Sequence, residues 1–294
     1  MNGLGIVRLA LLHLCLTGAA IAAGVPRAQC FPIEKLPPTL RVKSAELLLK
    51  ALDGEALYTF VGELKPMSSG FASFRFAAAN PAAESLARLE EARQLLSVWT
   101  CGEEYFADVH HFAAVYEGER YADAVIVRRP LLTRVIEARA GFYGGFGITA
   151  GAHPLEALLA VEYSPAEQRL RHYGYLFGYP DYAVDFFAEA AQSQARTGQF
   201  VKRDFYRIPA FRMVEDKSPF VYAVPQGHIE NDADRGLRQR AETILAEYRE
   251  RRAKYVGENR PGVIEMLRDW FDDGAGRCSP ANAQFRARKA AGSE

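Results

Sequence analysis

Helical and strand-like hydrophobic periodicities follow each other irregularly along this chain of 294 residues. Apolar residues recur at helical spacing over 86–99, whereas residues 105–116 and 121–127 alternate with a period of two and read as a hairpin. A doubly wound parallel sheet needs strands and helices in regular alternation, which this order lacks. The sequence therefore predicts an α+β fold in which antiparallel sheet segments pack with several helices, in a single compact domain over residues 41–274.

Caps, breakers and short apolar runs predict further elements of that domain. We expect a strand over 56–61, a polar turn over Lys65–Gly70, a helix capped by Asn80 before Pro81, a helix opened by a capping box at Ser164–Glu167, a long helix from Asn231-Asp232 to about Val256, and a last helix over Val263–Phe271.

The N-terminal residues have the pattern of a secretory signal. Arg8 supplies a positive charge, an apolar run of roughly fifteen residues follows, and Ala20-Ile21-Ala22 offers small residues before a cleavage site. The run is shorter than the twenty or so residues that a spanning helix needs. We expect residues 1–22 to be a cleaved signal peptide, with an uncleaved anchor as the alternative, residues 23–40 to be a linker and residues 275–294 to be a mobile tail. The protein would then be secreted or periplasmic, with no stable membrane span after cleavage.

Three cysteines remain after the leader, namely Cys30, Cys101 and Cys278. In an oxidising compartment, one disulfide and one free thiol are the simplest arrangement. A bond between Cys30 and Cys278 would join the two ends of the domain, but the sequence leaves the connectivity open. No CxxC motif is present, so little supports a thioredoxin-like redox role.

The formal net charge is zero, which gives the whole molecule no attraction to nucleic acid. The sequence also has no P-loop, no zinc-finger spacing and no basic stripe with interleaved aromatics. We expect no nucleic-acid partner and no organic cofactor, and a divalent metal is left open. The expected partner is a small molecule or a component of the cell envelope.

The stretch from Gly141 to Gln194 combines the densest glycine run with about a third of the aromatic residues. Its G-x-G-x-x-A sequence at 145–150 lacks the preceding strand and the following helix of a dinucleotide-binding fold. Glycines between aromatics more often form a tight turn, or a loop that closes over a pocket. We therefore expect a pocket formed by this loop and the 173–182 turn. Its candidate ligand-binding residues are Tyr143, Phe146, His172, Tyr175 and Tyr179.

Histidines near carboxylates are the candidates for catalysis, since imidazole titrates near neutral pH and binds metals. Asp108 and His110 are two apart in a predicted strand and share a face. His153 and Glu156 have the i, i+3 spacing of one helix face, although a cap also explains them. His228 lies in the loop before the long helix, where functional side chains are common.

Two hypotheses about function follow. In the first, the protein recognises a small ligand in an aromatic and histidine-lined pocket without turnover. In the second, a histidine beside a carboxylate acts as a general base of a hydrolase, with or without a metal. Convergence of the histidines in one cleft would favour the second, and scattered histidines the first.

Overall fold

The computed structural model describes residues 24–212, 219–281 and 283. Within these residues, ten α-helices pack with three small antiparallel sheets, which confirms the predicted α+β fold. The expected signal peptide, residues 1–22, lies outside the described residues, as does most of the expected tail. Among the helices in these ranges, none combines the length and the apolar character that crossing a membrane requires.

The elements follow one another in mixed order along the chain. The strands are β1 (Val25–Pro26), β2 (Met67–Ala77), β3 (Tyr105–Tyr116), β4 (Glu119–Arg128), β5 (Arg203–Arg207), β6 (Val221–Pro225) and β7 (Arg277–Cys278). The helices are α1 (Pro38–Asp53), α2 (Leu57–Phe60), α3 (Ala83–Leu96), α4 (Arg129–Ala138), α5 (Ala140–Gly145), α6 (Pro154–Glu162), α7 (Ala166–Leu176), α8 (Asp181–Thr197), α9 (Asp232–Tyr255) and α10 (Val263–Phe271).

The central sheet has the order β2-β4-β3, and its β3–β4 pair is the hairpin that the sequence predicts. Successive side chains of a strand point to opposite faces of the sheet, and in β4 the side chains on both faces are buried. Ala124 and Ile126 belong to a large core shared with α1, α3, α9 and α10, whereas Val125 and Val127 belong to a smaller core with α4, α6 and α7. The sheet is therefore covered on both faces.

The long helix α9 begins and ends close to the predicted positions. Asn231 accepts hydrogen bonds from the backbone of Ala233 and Asp234, and the Asp234 side chain accepts one from the Asn231 backbone, which completes a capping box. Its apolar residues Leu237, Ala241, Ile244, Leu245, Tyr248 and Tyr255 are buried, and α10 spans the predicted residues. Local signals were sufficient for both helices.

The disulfide joins Cys30 to Cys101, and Cys278 is a buried free thiol. The sequence left the connectivity open, and the structure shows that Cys30 does not pair with Cys278. The two ends of the described chain nevertheless meet, because β1 pairs with β7 and sets Val25 opposite Cys278. This part of the expected tail is a strand, and residues 284–294 lie outside the described residues.

Several local predictions are wrong for identifiable reasons. The 56–61 segment is the buried helix α2, and a short run that is apolar on all sides carries no period to separate helix from strand. Lys65 is fully buried and β2 begins at Met67, so Lys65–Gly70 is not a polar turn. The N-cap residue of α3 is Ala82 rather than Asn80. Ser164 donates to the Val161 carbonyl at the end of α6, and it does not cap α7.

Candidate functional site

Two clefts lie on either side of the turn that ends α7. The larger one, which we call the arginine cleft, has a volume of about 630 Å³ and lies between the turn before β2, helix α4, the end of α7 and helix α9. It is lined by Gly62, Glu63, Leu64, Pro66, Leu131, Arg134, Val135, Ala138, Arg139, Tyr175, Gly178, Tyr179, Asp181, Arg240, Thr243 and Ile244.

Three arginines lie around this cleft, two from α4 and its end and one from the distant α9. Arg134 on α4 is 3.1 Å from a carboxylate oxygen of Glu63. Arg139, the residue after α4 ends, stacks 4.0 Å over the Tyr175 ring and lies 3.3 Å from Asp181. Arg240 on α9 donates from Nε to the Gly236 carbonyl and has no ion pair to a carboxylate of the described residues. Positive charge therefore exceeds negative charge in the lining.

Two glycines make the floor of the arginine cleft. Gly62 has a φ of +84°, and a Cβ there would lie 2.0 Å from Cδ1 of Ile244 on α9. Gly178 has a φ of +72°, and a Cβ there would lie 2.1 Å from the Leu64 carbonyl oxygen. At Gly178 only glycine accepts both the left-handed conformation and the close backbone approach. This contact positions the 177–179 turn against Leu64, whereas the Gly62 contact is with the end of a side chain on α9.

The second cleft, which we call the aromatic cleft, has a volume of about 420 Å³ and lies between α7, α8 and the β5–β6 pair. Seven of its lining residues are aromatic, and the lining residues that the structure describes include no ionised side chain. The lining consists of Phe112, Leu170, Tyr173, Gly174, Phe177, Tyr179, Ala183, Val184, Phe187, Phe205, Val221, Tyr222 and Ala223.

The five candidate ligand-binding residues divide into two groups. Tyr175 and Tyr179 line the arginine cleft, and Tyr179 lines the aromatic cleft as well. Tyr143 and His172 are buried, and their rings are 5.4 Å apart. Phe146 is half exposed and contacts the same cluster through Phe142.

The glycine-rich stretch therefore supplies a packed cluster rather than a pocket wall. Residues 140–145 form the short helix α5, and His172 stacks on Phe142 at 3.4 Å. Burial, together with the nearby Arg139 charge, lowers the pKa of His172 to about 4. The predicted 173–182 turn does line both clefts, whereas residues 141–151 line neither of them in the described structure.

His110 belongs to a buried cluster behind the aromatic cleft. The Tyr173 hydroxyl donates to Glu162 at 2.5 Å. Nε2 of His110 lies 2.8 Å from the Tyr173 hydroxyl oxygen, and it must be the donor because the hydroxyl proton is already used. Burial lowers the pKa of His110, although Glu162 opposes the shift. Asp108 lies elsewhere, where it accepts from the Val109 backbone and is 3.7 Å from Arg93. The predicted pair of Asp108 and His110 is thus separated.

His228 contacts a different carboxylate, at the start of α9. Its Nε2 atom lies 2.7 Å from Oδ2 of the fully buried Asp234. Tyr182 and Tyr222 donate to the other oxygen at 2.5 and 2.6 Å. Burial alone would raise the pKa of Asp234, but these hydrogen bonds lower it overall. The cluster ties α8 and β6 to the first turn of α9.

His153 and Glu156 lie at the start of α6, where both side chains are exposed. His153 is the N-cap residue, and its Nδ1 atom accepts from the Leu155 backbone at 3.3 Å. Its ring contacts Phe106 rather than another histidine. The candidate catalytic residues therefore occupy four separate places: His110, Asp108, the pair of His153 and Glu156, and His228. No group of three or more metal-ligating side chains was found among the described residues.

Sequence reasoning missed Lys65 and the three arginines. Lys65 is fully buried and lies 2.6 Å from Glu55, with Nζ over the rings of Phe177, Tyr179 and Phe220. The density of arginines over 128–139 was the available signal for the arginine cleft. Comparison with protein-family models, curated proteins and solved structures gave no match for this chain. The function must therefore be inferred from the geometry of the clefts.

Proposed function

We propose that this protein binds a small ligand in the arginine cleft, and that the ligand carries an anionic group beside an apolar or aromatic part. The observation that supports this is the convergence of Arg134, Arg139 and Arg240 on one cavity walled by Tyr175 and Tyr179. Cavities of this size that combine apolar walls with a few polar groups are typical small-molecule sites.

The charges of the lining favour an anion. Three guanidinium groups face two carboxylates, those of Glu63 and Asp181. Arg240 is exposed and lacks an acidic partner among the described residues, so its donors are available to a ligand. Arginine binds carboxylate and phosphate oxygens through paired N–H donors, which gives both affinity and orientation.

The walls favour an apolar or aromatic group next to that anion. Tyr175 and Tyr179 stand on one side, and Leu131, Val135 and Ile244 supply aliphatic surface. The Arg139 guanidinium already lies 4.0 Å from the centre of the Tyr175 ring, a cation–π contact that places a positive charge beside this apolar wall. A ligand such as an aryl phosphate or an aryl carboxylate fits both features.

The alternative hypothesis, histidine-dependent hydrolysis, has less support. Tyr173 borders the aromatic cleft beside His110 and Glu162, but its proton is donated to Glu162. His110, His153 and His228 have separate partners, and none of the three lines either cleft in the part of the chain that the structure describes. We therefore propose binding without turnover.

Our proposal includes export of the chain. The Cys30–Cys101 disulfide fits an oxidising compartment, because such bonds are rare in reducing ones. The secretory pattern of residues 1–22 supports the same conclusion. The binding site would then face a secreted or periplasmic environment.

Isothermal titration calorimetry with phenyl phosphate tests the proposed function. We expect saturable binding with one site per chain, and about tenfold weaker binding for Arg139→Gln and for Arg240→Gln, since a charged hydrogen bond contributes about 1.5 kcal/mol. Arg235→Gln is the matched control, because Arg235 lies on the same helix and pairs with Asp232 outside the cleft. Equal losses in all three variants, or no binding of phenyl phosphate, would reject the site.

A further inference from the structure

The two clefts share one wall. At the end of α7, Tyr175 and Gly178 line the arginine cleft, whereas Tyr173 and Phe177 line the aromatic cleft. Tyr179 lines both. A cavity with excess positive charge and a cavity without charged lining thus lie on the two sides of this segment, and Tyr179 belongs to both linings.

We infer that the ligand is an amphipathic anion, a hydrocarbon chain with a terminal phosphate or carboxylate. Its head group binds in the arginine cleft, and its chain passes Tyr179 into the aromatic cleft. This inference rests on the proposed function, since it places the anionic group at the same arginines. It adds the class of the ligand and a second half of the site.

The aromatic cleft offers little to a polar ligand. Tyr173 and Tyr222 are the two lining tyrosines besides Tyr179, and their hydroxyl protons are already donated to Glu162 and Asp234. The remaining lining is aliphatic or phenylalanine. A polar group placed there would lose its water without gaining a donor, whereas a hydrocarbon chain gains free energy on burial.

Charge sets the direction in which such a ligand enters. Glu162 and Asp234 are buried directly behind the aromatic cleft, so an anionic head group is disfavoured on that side. The arginines attract it on the other side. We therefore place the head at Arg139 and Arg240 and the chain towards β6.

The shared wall stands on a fixed base. The Lys65 ammonium lies 5.1 Å from the centre of the Phe177 ring and 5.6 Å from that of Tyr179, on a side chain that is fully buried. The backbone of Gly178 packs directly against the Leu64 carbonyl. The backbone of the turn is thereby held in place, and Tyr179, whose ring packs against Phe177, Phe220 and Tyr222, is the side chain that a ligand passing between the clefts would displace.

Titration of a series of n-alkyl phosphates, from ethyl to decyl and below their micelle concentrations, tests this inference. Each methylene that enters the aromatic cleft should tighten binding by a factor of about four, until the cleft is full. Monomeric ligands are used so that binding to a micelle or a membrane surface does not contribute to the signal. Arg240→Gln should weaken every member of the series by the same factor.

Leu170→Trp fills the aromatic cleft from α7 and should abolish the dependence on chain length while leaving ethyl phosphate binding unchanged. Ala223→Phe fills it from β6 and serves as the second variant if the first does not fold, as judged by circular dichroism. Leu159→Trp is the control, because it adds the same indole to an exposed leucine on α6 outside both clefts.

The outcomes separate this inference from the proposed function. Dependence on chain length in the wild type and Leu159→Trp, but not in the filled variants, supports the amphipathic ligand. Binding of ethyl phosphate with no gain for longer chains, or a gain that persists in both filled variants, overturns it and leaves the anion site intact. Absence of binding across the series overturns both.

Discussion

The Nζ atom of Lys65 lies 2.6 Å from the Oε2 atom of Glu55, at a place where the Lys65 side chain has no solvent exposure. The ammonium also lies 4.3 Å from the centre of the Phe220 ring. Burial lowers the pKa of Lys65, and the charge and hydrogen bond of Glu55 oppose that shift. The pair lies under the turn that separates the two clefts, so it links the stability of the core to the shape of the site.

Removing one member of this pair should destabilise the protein strongly. Lys65→Met leaves the Glu55 carboxylate, 15% exposed, without its partner, and we expect the free energy of unfolding to fall by about 3 kcal/mol. Lys43→Met is the control, because Lys43 pairs with Glu91 at the surface, where such pairs contribute less than about 1 kcal/mol. Urea denaturation measures both. Equal and small losses would show that the Lys65–Glu55 pair is not needed for stability.

A pair of glycine substitutions tests the floor of the clefts. Gly178 and Gly198 have the same φ of +72°, but a Cβ has no atom within 4 Å at Gly198 and would lie 2.1 Å from a carbonyl oxygen at Gly178. Gly198→Ala should lower the free energy of unfolding by about 1 kcal/mol through its backbone conformation alone. Gly178→Ala should lower it by clearly more, and should weaken phenyl phosphate binding. Similar effects of both on unfolding would mean that the close contact with Leu64 is unimportant.

The sequence specifies the elements whose signals are local. Helix α9 is predictable because a capping box and a 3.6-residue period both lie within it, and the β3–β4 hairpin because two alternating runs flank a turn. The strand prediction for 56–61 is wrong because the residues of this segment are buried on every side, so no polar face marks a helical period. The predicted cap at Ser164 is wrong because its hydroxyl donates to the Val161 carbonyl of the preceding helix α6.

The candidate site is less predictable than the fold. Composition pointed to Tyr175 and Tyr179, which do line a cleft, while their role as ligand contacts stays a prediction. Arg134 and Arg240 are about a hundred residues apart, and they come together because α4 and α9 border the same cavity in the folded chain. The sequence suggested the histidines as catalytic candidates. In the structure each has its own hydrogen-bond partner: Tyr173 for His110, a backbone amide for His153 and Asp234 for His228.

His172 should give the protein a measurable pH dependence. Its pKa is about 4 in the folded protein and about 6.5 in an unfolded chain, so the unfolded state binds more protons between these values. The stabilising contribution is complete above pH 6.5 and is lost as the pH falls to 4, with a total of about 3 kcal/mol. His172→Phe keeps the stack on Phe142 and removes the titration. We therefore expect the wild type to lose more stability than this variant across the window, as measured by urea denaturation at several pH values. Parallel curves would contradict the buried neutral imidazole.

The position of bound phenyl phosphate in a crystal structure of the complex tests the central claim most directly. The account predicts the phosphate oxygens within about 3 Å of the guanidinium groups of Arg139 or Arg240, with the phenyl ring beside Tyr179. It also predicts that the ligand leaves the histidines at 110, 153 and 228 untouched. Phenyl phosphate bound at any other surface, with the arginine cleft unoccupied at saturating concentration, would contradict the account.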